Sequence, residues 1–194
     1  MVKTCNLLNV EALLNTQTQA VKKIYMIYYF AYGSNLHPLR LKKRVPSAEL
    51  VAVAKYPNHS LIFHKQSNDG SSKCNMFNSD VDSDLVYGAI YKIKPEHKNA
   101  LDRFEGDGYI DNQIILKHDG NEYDCFAYLA QQTYLDDNLK PYHWYKELVV
   151  LGAQYLKFPG SYISSIKAVE SMNDPDSSRR QEHEILIKSI INLH

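Results

Sequence analysis

Two short stretches of this sequence carry residue types at spacings that could do chemistry. In "YYFAYGSNLHPLR", Tyr28 to Arg40, an aromatic run breaks into Gly33-Ser34-Asn35 just ahead of a helix-like segment. Consecutive backbone N–H groups in such a turn, unpaired and close to a helix start, favour negative charge and make a cradle for an anion. The same residues also fit an ordinary turn with a helix cap. In "LDRFEGDG", Glu105 stands at a helix end immediately before a glycine. The partial negative charge of a helix C-terminus disfavours a carboxylate there. If Phe104 and nearby tyrosines screen it from water, its pKa rises above that of a free glutamate, as a base working near neutral pH requires. Without that screening, Glu105 is a surface residue on a frayed last turn.

Other chemistries find little support. The chain has no G-x-x-x-x-G-K-[ST], G-x-G-x-x-G or G-x-S-x-G, which argues against nucleotide phosphates and the usual serine-hydrolase elbow. None of the eight histidines forms an H-x-x-x-H pair, and His59 and His64, five apart, would point to opposite faces of one strand. Cys5, Cys74 and Cys125 are odd in number, far apart and never in a C-x-x-C pair. They fit neither a disulfide framework nor a zinc site, and a reducing cytoplasm is the simple expectation.

The elements that must hold these residues follow from periodicity and turn signals. "IYMIYYFA" matches a strand buried on both faces, and "HPLRLKKRV" a short helix with Pro38 in its first turn. "AELVAVAKY" and "HSLIFHK" read as strands joined near Pro57-Asn58, and "QSNDGSSKCN" as a loop. "DLVYGAIYKI" is another strand, with Gly88 marking a close approach of backbone or ligand. "PEHKNALDRFEG" predicts one helix of about three turns, with Ala100, Leu101 and Phe104 on one face and Gly106 as its stop. Asp119-Gly120 between "YIDNQIILKH" and "YDCFAYLA" predicts a hairpin.

After Pro141 the period becomes helical through Tyr145, Leu148, Val149, Gly152, Tyr155 and Leu156, and two more helices are expected over Ser161 to Ser171 and Ser177 to Asn192. Strands dominate the first two thirds and helices the last. The expected class is α+β, a small curved or closed sheet with helices packed on it, whose strand order the pattern leaves open. Residues 1–25 read as an N-terminal extension with an amphipathic pattern over residues 8 to 23, and residues 26–194 as one domain.

Twenty-two basic residues balance twenty-two acidic ones, so the chain lacks the electrostatic footprint of a nucleic-acid or membrane-surface binder. No stretch approaches the roughly twenty apolar residues of a membrane span, and "MVKTCNLLNVEALLNTQTQAVKK" lacks a signal-peptide core. The expected partner is a small molecule, bound by a soluble monomer or homodimer. Fifteen tyrosines against six phenylalanines suit a pocket apolar in body with hydroxyls at its edge, though compositional drift gives the same count.

"YFAYGSNL", followed some seventy residues later by "LDRFEG", resembles the γ-glutamylcyclotransferase family, whose members pair a Y-G-S-N loop with an L-D-x-x-E-G glutamate. "VPSAEL", "VYGAIYKI" and "YKELVVLGAQYLKFPGSYISSIKAVE" extend the likeness over about residues 28 to 173. The resemblance implies a small mixed β-barrel-like sheet with surrounding helices. It also implies an intramolecular reaction without a cofactor. The α-amine of a γ-glutamyl group attacks its own γ-carbonyl, releasing 5-oxoproline and a free amino acid or amine.

By the same resemblance Glu105 is the general base, and Tyr29, Phe30, Ala31, Tyr32, Gly33, Ser34 and Asn35 form the substrate-binding loop. Ser34 is then no nucleophile. Tyr145, in "HWYKEL", falls where the family places a further substrate-contacting tyrosine, and equally on the core face of a helix. Only Asp107-Gly108 separates Gly106 from Tyr109, a shorter turn than the family pattern, which leaves the role of Tyr109 and the leaving group open. The expected substrates are γ-glutamyl amino acids. The alternatives are γ-glutamyl amines and a non-catalytic γ-glutamyl binding protein. A hydrolase with Ser34 as nucleophile is disfavoured, because no histidine is placed in the sequence to activate it.

Overall fold

The computed structural model describes residues 25–192. The expected N-terminal extension, apart from Tyr25, lies outside these described residues, and Cys5 with it. Seven strands follow in chain order: β1 (Ile27–Ala31), β2 (Glu49–Pro57), β3 (His59–Gln66), β4 (Ser72–Asn78), β5 (Leu85–Ile93), β6 (Tyr109–His118) and β7 (Asn121–Ala130). Among the described residues five α-helices accompany them: α1 (Pro38–Arg44), α2 (Lys98–Glu105), α3 (His143–Tyr155), α4 (Gly160–Ala168) and α5 (Ser177–Ile191). The class is α+β, as expected.

Five strands form one mixed sheet in the order β2-β5-β1-β7-β6, and β3 pairs with β4 in a separate two-stranded ribbon. β1 is central, antiparallel to β5 and parallel to β7. That position explains its run of apolar residues, since Phe30 and Ala31 are wholly buried. The Phe30 ring lies over Gly88 of β5, where an added Cβ would stand 2.3 Å from it. The edge strands β2 and β6 approach within Cα distances of 8 Å without pairing, so the sheet curls into a half-open barrel.

The β6–β7 hairpin turns on Asp119 and Gly120, with φ of 46° and 77°. Left-handed backbone at both central positions is the type I′ geometry that a D-G pair favours. Two expectations are corrected. Of "QSNDGSSKCN", only Ser67 to Ser71 is a loop, closed by Ser67 N–H donating to Ser71 O at 3.0 Å. The turn formers of that segment stop at Gly70, and from Ser72 onward pairing with β3 overrides the polar composition. The single helix expected over "PEHKNALDRFEG" is a 3₁₀ turn, Pro95–His97, followed by α2. Only Leu101 of α2 is buried, while the Phe104 ring is 54 % exposed.

α3 carries most of the expected stripe, with Tyr145, Leu148, Val149 and Gly152 buried and Leu156 just beyond it, whereas Tyr155, in the last turn, is exposed. Gly152 is there for contact: a Cβ would lie 2.4 Å from Leu36 Cβ and 3.0 Å from His37 N. The helix thereby sits directly on the segment that leaves β1. α5 begins at Asp176, whose side chain accepts from the N–H groups of Ser178 and Arg179. Among the described residues no helix is long and apolar enough to cross a membrane.

Candidate active site

A cavity of about 230 Å³ opens between the end of β1, the end of α2 and the helices α1, α3 and α5. Glu105, the last residue of α2, lines it, and Gly106 (φ 70°) ends the helix directly after the carboxylate. Glu105 Oε1 accepts a hydrogen bond from Asn35 Nδ2 at 2.7 Å. The two stretches that stood out in the sequence, seventy residues apart, therefore meet side chain to side chain. Asn35 is used at both ends. Its Nδ2 also donates to Tyr29 Oη at 3.3 Å, and its Oδ1 accepts from Arg44 Nη1 at 3.1 Å. Arg44 Nη1 lies 3.9 Å from Glu105 Oε1.

The Glu105 side chain is 17 % exposed. Burial pushes its carboxyl above the usual range, against the pull of Arg44, Arg40, the Asn35 hydrogen bond and Lys65. Phe104 lines the cavity too, but it is largely exposed, with Arg44 over its ring, and covers the carboxylate little. Tyrosines supply most of the screen: Tyr29, Tyr32, Tyr109, Tyr128 and Tyr145 all line the cavity. Burial drives each of these five phenols far above its ordinary pKa, so they remain neutral hydroxyls. Three are anchored as donors: Tyr32 to the carbonyl of Tyr128, Tyr109 to that of Cys74, and Tyr128 to the Asp102 carboxylate. Burial pushes the Cys74 thiol up to about 12, which keeps it from acting as a thiolate.

Gly33, Ser34 and Asn35 line the same cavity, in a turn closed by Leu36 N–H donating to Gly33 O at 3.1 Å. Their own N–H groups donate no hydrogen bond to another described residue. α1 starts only at Pro38, and His37 Nδ1 accepts from Leu39 N–H, so the first turn of the helix is capped by the chain itself. Tyr145 Oη accepts from Cys74 N–H at 3.1 Å beside Gly33. Phe30 and Ala31 depart from the expected loop, because their side chains are core residues of a central strand and do not line the cavity.

Sequence reasoning missed the opposite wall. Arg40, Lys73, Trp144, Arg179 and His183 line it. Arg179 grips Asp174 through Nε and Nη2 at 2.7 and 2.6 Å, and Trp144 Nε1 donates to the same carboxylate at 2.8 Å. Burial would raise the Asp174 carboxyl, but these hydrogen bonds hold it at about 2. His183 stacks on Trp144 with ring centroids 3.7 Å apart, and burial, helped by Arg40, lowers it to about 4, leaving it neutral. Lys73 Nζ pairs with Asp69 at 2.7 Å. These wall residues come from separate elements, α1, β4, α3 and α5, so no local spacing links them as a set. Among the described residues no group of three or more His, Cys, Asp or Glu is placed to hold a metal ion.

Comparison with known proteins follows the same lines. A model of the AIG2-like family matches residues 85–166, a span that includes Glu105 and Tyr145. The chain is 30 % identical over 169 residues to the gamma-glutamylcyclotransferase of Homo sapiens, covering 82 % of this chain and 87 % of that protein. It is 29 % identical, with the same coverage, to the gamma-glutamylcyclotransferase of Mus musculus. A solved structure named gamma-glutamyl cyclotransferase superposes with a TM-score of 0.74 at 29 % identity, covering 85 % of this chain and 99 % of that one.

Proposed function

The chain belongs to the γ-glutamylcyclotransferase family, and from that membership we propose that it converts γ-glutamyl amino acids into 5-oxoproline and the free amino acid, with Glu105 as general base. The observation that carries the reading is the Glu105 carboxylate, largely shielded in a cavity and hydrogen-bonded at 2.7 Å to Asn35 of the Gly33 to Asn35 turn. A carboxylate and a turn with unpaired amides lining one small cavity suit an intramolecular acyl transfer.

The reaction asks for two things. The glutamyl chain must be bent so that its α-amine meets its own γ-carbonyl, and a tyrosine-lined cavity can hold it so. The α-ammonium must also lose a proton. An ordinary amine near ~8 stands about 3.5 pKa units above an ordinary glutamate, a gap of roughly 5 kcal/mol. Burial of Glu105 narrows it from one side, and desolvation of the bound ammonium from the other. Glu105 takes the proton, the amine nitrogen bonds to the γ-carbon, and negative charge gathers on the carbonyl oxygen. The amides of Gly33, Ser34 and Asn35 are the donors available to the developing oxyanion or the α-carboxylate. Glu105 then returns the proton to the leaving nitrogen as the old C–N bond breaks, and the second proton of the attacking nitrogen passes by way of Glu105 to the freed amine, leaving a neutral lactam.

The tyrosine hydroxyls stay protonated and serve as donors and walls, Tyr29 and Tyr145 among them. Cys74 and Cys125 are free and buried, in keeping with a reducing, cytoplasmic setting. The test is direct: incubation with γ-glutamyl-alanine should release 5-oxoproline and alanine in equal amounts. No 5-oxoproline from a panel of γ-glutamyl amino acids and amines would overturn the proposal, and free glutamate instead would point to hydrolysis.

A further inference from the structure

Among the described residues, Arg40 is the one cation of the cavity wall whose charge has no partner in place. It is 4 % exposed, it lines the cavity, and its Nε has no hydrogen-bond partner. Among the described residues no carboxylate lies within ion-pairing distance of it. The other three cations are engaged: Arg179 with Asp174, Lys73 with Asp69, and Arg44 with Asn35 and, more loosely, Glu105. A buried guanidinium left unpaired is costly, and a protein retains one where an anionic ligand completes it.

Charge balance points the same way. Four cations, Arg40, Arg44, Lys73 and Arg179, face three carboxylates, Glu105, Asp69 and Asp174, leaving one positive charge. A γ-glutamyl amino acid carries two carboxylates and one ammonium, a net charge of minus one; a γ-glutamyl amine is neutral overall. The free amides of the Gly33 turn can take one carboxylate. The second needs its own partner.

We infer that Arg40 binds the carboxylate of the leaving group and so makes this protein select γ-glutamyl α-amino acids over γ-glutamyl amines. The inference rests on the cyclotransferase reading above and adds to it the residue that chooses the leaving group. Arg40 touches no reacting atom in this assignment, and its contribution is to substrate choice.

The test compares γ-glutamyl-alanine with γ-glutamyl-ethylamine, which differ only by the leaving-group carboxylate. Wild-type kcat/KM should favour the alanine substrate by about 30-fold or more, the scale of a charge-assisted pair in a buried site. In Arg40→Met that ratio should collapse toward one, mainly through KM for γ-glutamyl-alanine, and Arg40→Lys should restore part of it. A wild-type ratio near one overturns the inference without any variant. An Arg40→Met variant that loses both substrates in equal proportion also overturns it, by placing Arg40 on the glutamyl half. Absence of 5-oxoproline from both substrates in the wild type would instead overturn the cyclotransferase reading itself.

Discussion

The two walls of the cavity are built by different rules. On the strand side, Tyr29, Tyr32 and Asn35 come from one short segment, β1 and its following turn, and are joined by Glu105 from the end of α2 and by tyrosines of β6, β7 and α3. On the helical side, Arg40, Lys73, Trp144, Arg179 and His183 come from α1, β4, α3 and α5. The strand wall surrounds a carboxylate with neutral hydroxyls and so makes it basic. The helical wall is a chain of paired charges and stacked rings whose net sign is positive. One wall is suited to moving a proton and the other to choosing an anion. That division can be broken or sharpened by substitution.

The largest effect is expected at the base. Glu105→Gln should cut kcat for 5-oxoproline release about 10³-fold or more, equivalent to about 4 kcal/mol of barrier, with an unaltered circular dichroism spectrum. A helical-wall variant costing more in kcat than this one would break the division. Next comes Asp174→Ala, which strands the Arg179 guanidinium and the Trp144 N–H. It should destabilise the fold by about 3 kcal/mol in urea unfolding and raise KM more than it lowers kcat.

Asn35→Ala should cost about 1–2 kcal/mol of stability. Because its hydrogen bond favours the charged carboxylate, its loss should also move the acid limb of kcat/KM to higher pH. The smallest effect is thermal. Burial raises the folded pKa of Glu105 above its unfolded value, so the stability contributed by its protonated form is complete below the unfolded pKa and lost as pH rises through the folded one. Glu105→Gln should therefore melt higher than wild type at pH 7, and the difference should shrink toward pH 4.

The same contrast explains what was legible beforehand. Strands and helices announced themselves through local pattern, as at Asp119-Gly120, where the backbone need and the residue choice coincide. Glu105 was visible because a carboxylate at a helix end conflicts with a local electrostatic preference. The strand order was not legible, since the pairing of β1 with both β5 and β7 depends on contacts distant in sequence. Phe104 and Leu101 look equally apolar on the helix, yet only Leu101 finds a neighbour to bury it. Phe30 and Ala31 share a motif with true lining residues but fall on the core side of a central strand. The helical wall had no local signature, because its charges acquire partners only when α1, β4, α3 and α5 come together.

Gly152, where α3 rests on Leu36 and His37, joins the two walls at a point that touches no ligand-facing group. A methyl there would act as a shim, easing α3 with Trp144 and Tyr145 away from the Gly33 turn while every charge and hydroxyl kept its identity. The aperture of the cavity is in that sense a mechanical setting, adjustable by a single carbon atom and separable from the chemistry it encloses. Bulkier leaving groups could thus be admitted by gauge alone, with the proton-handling residues left as they are.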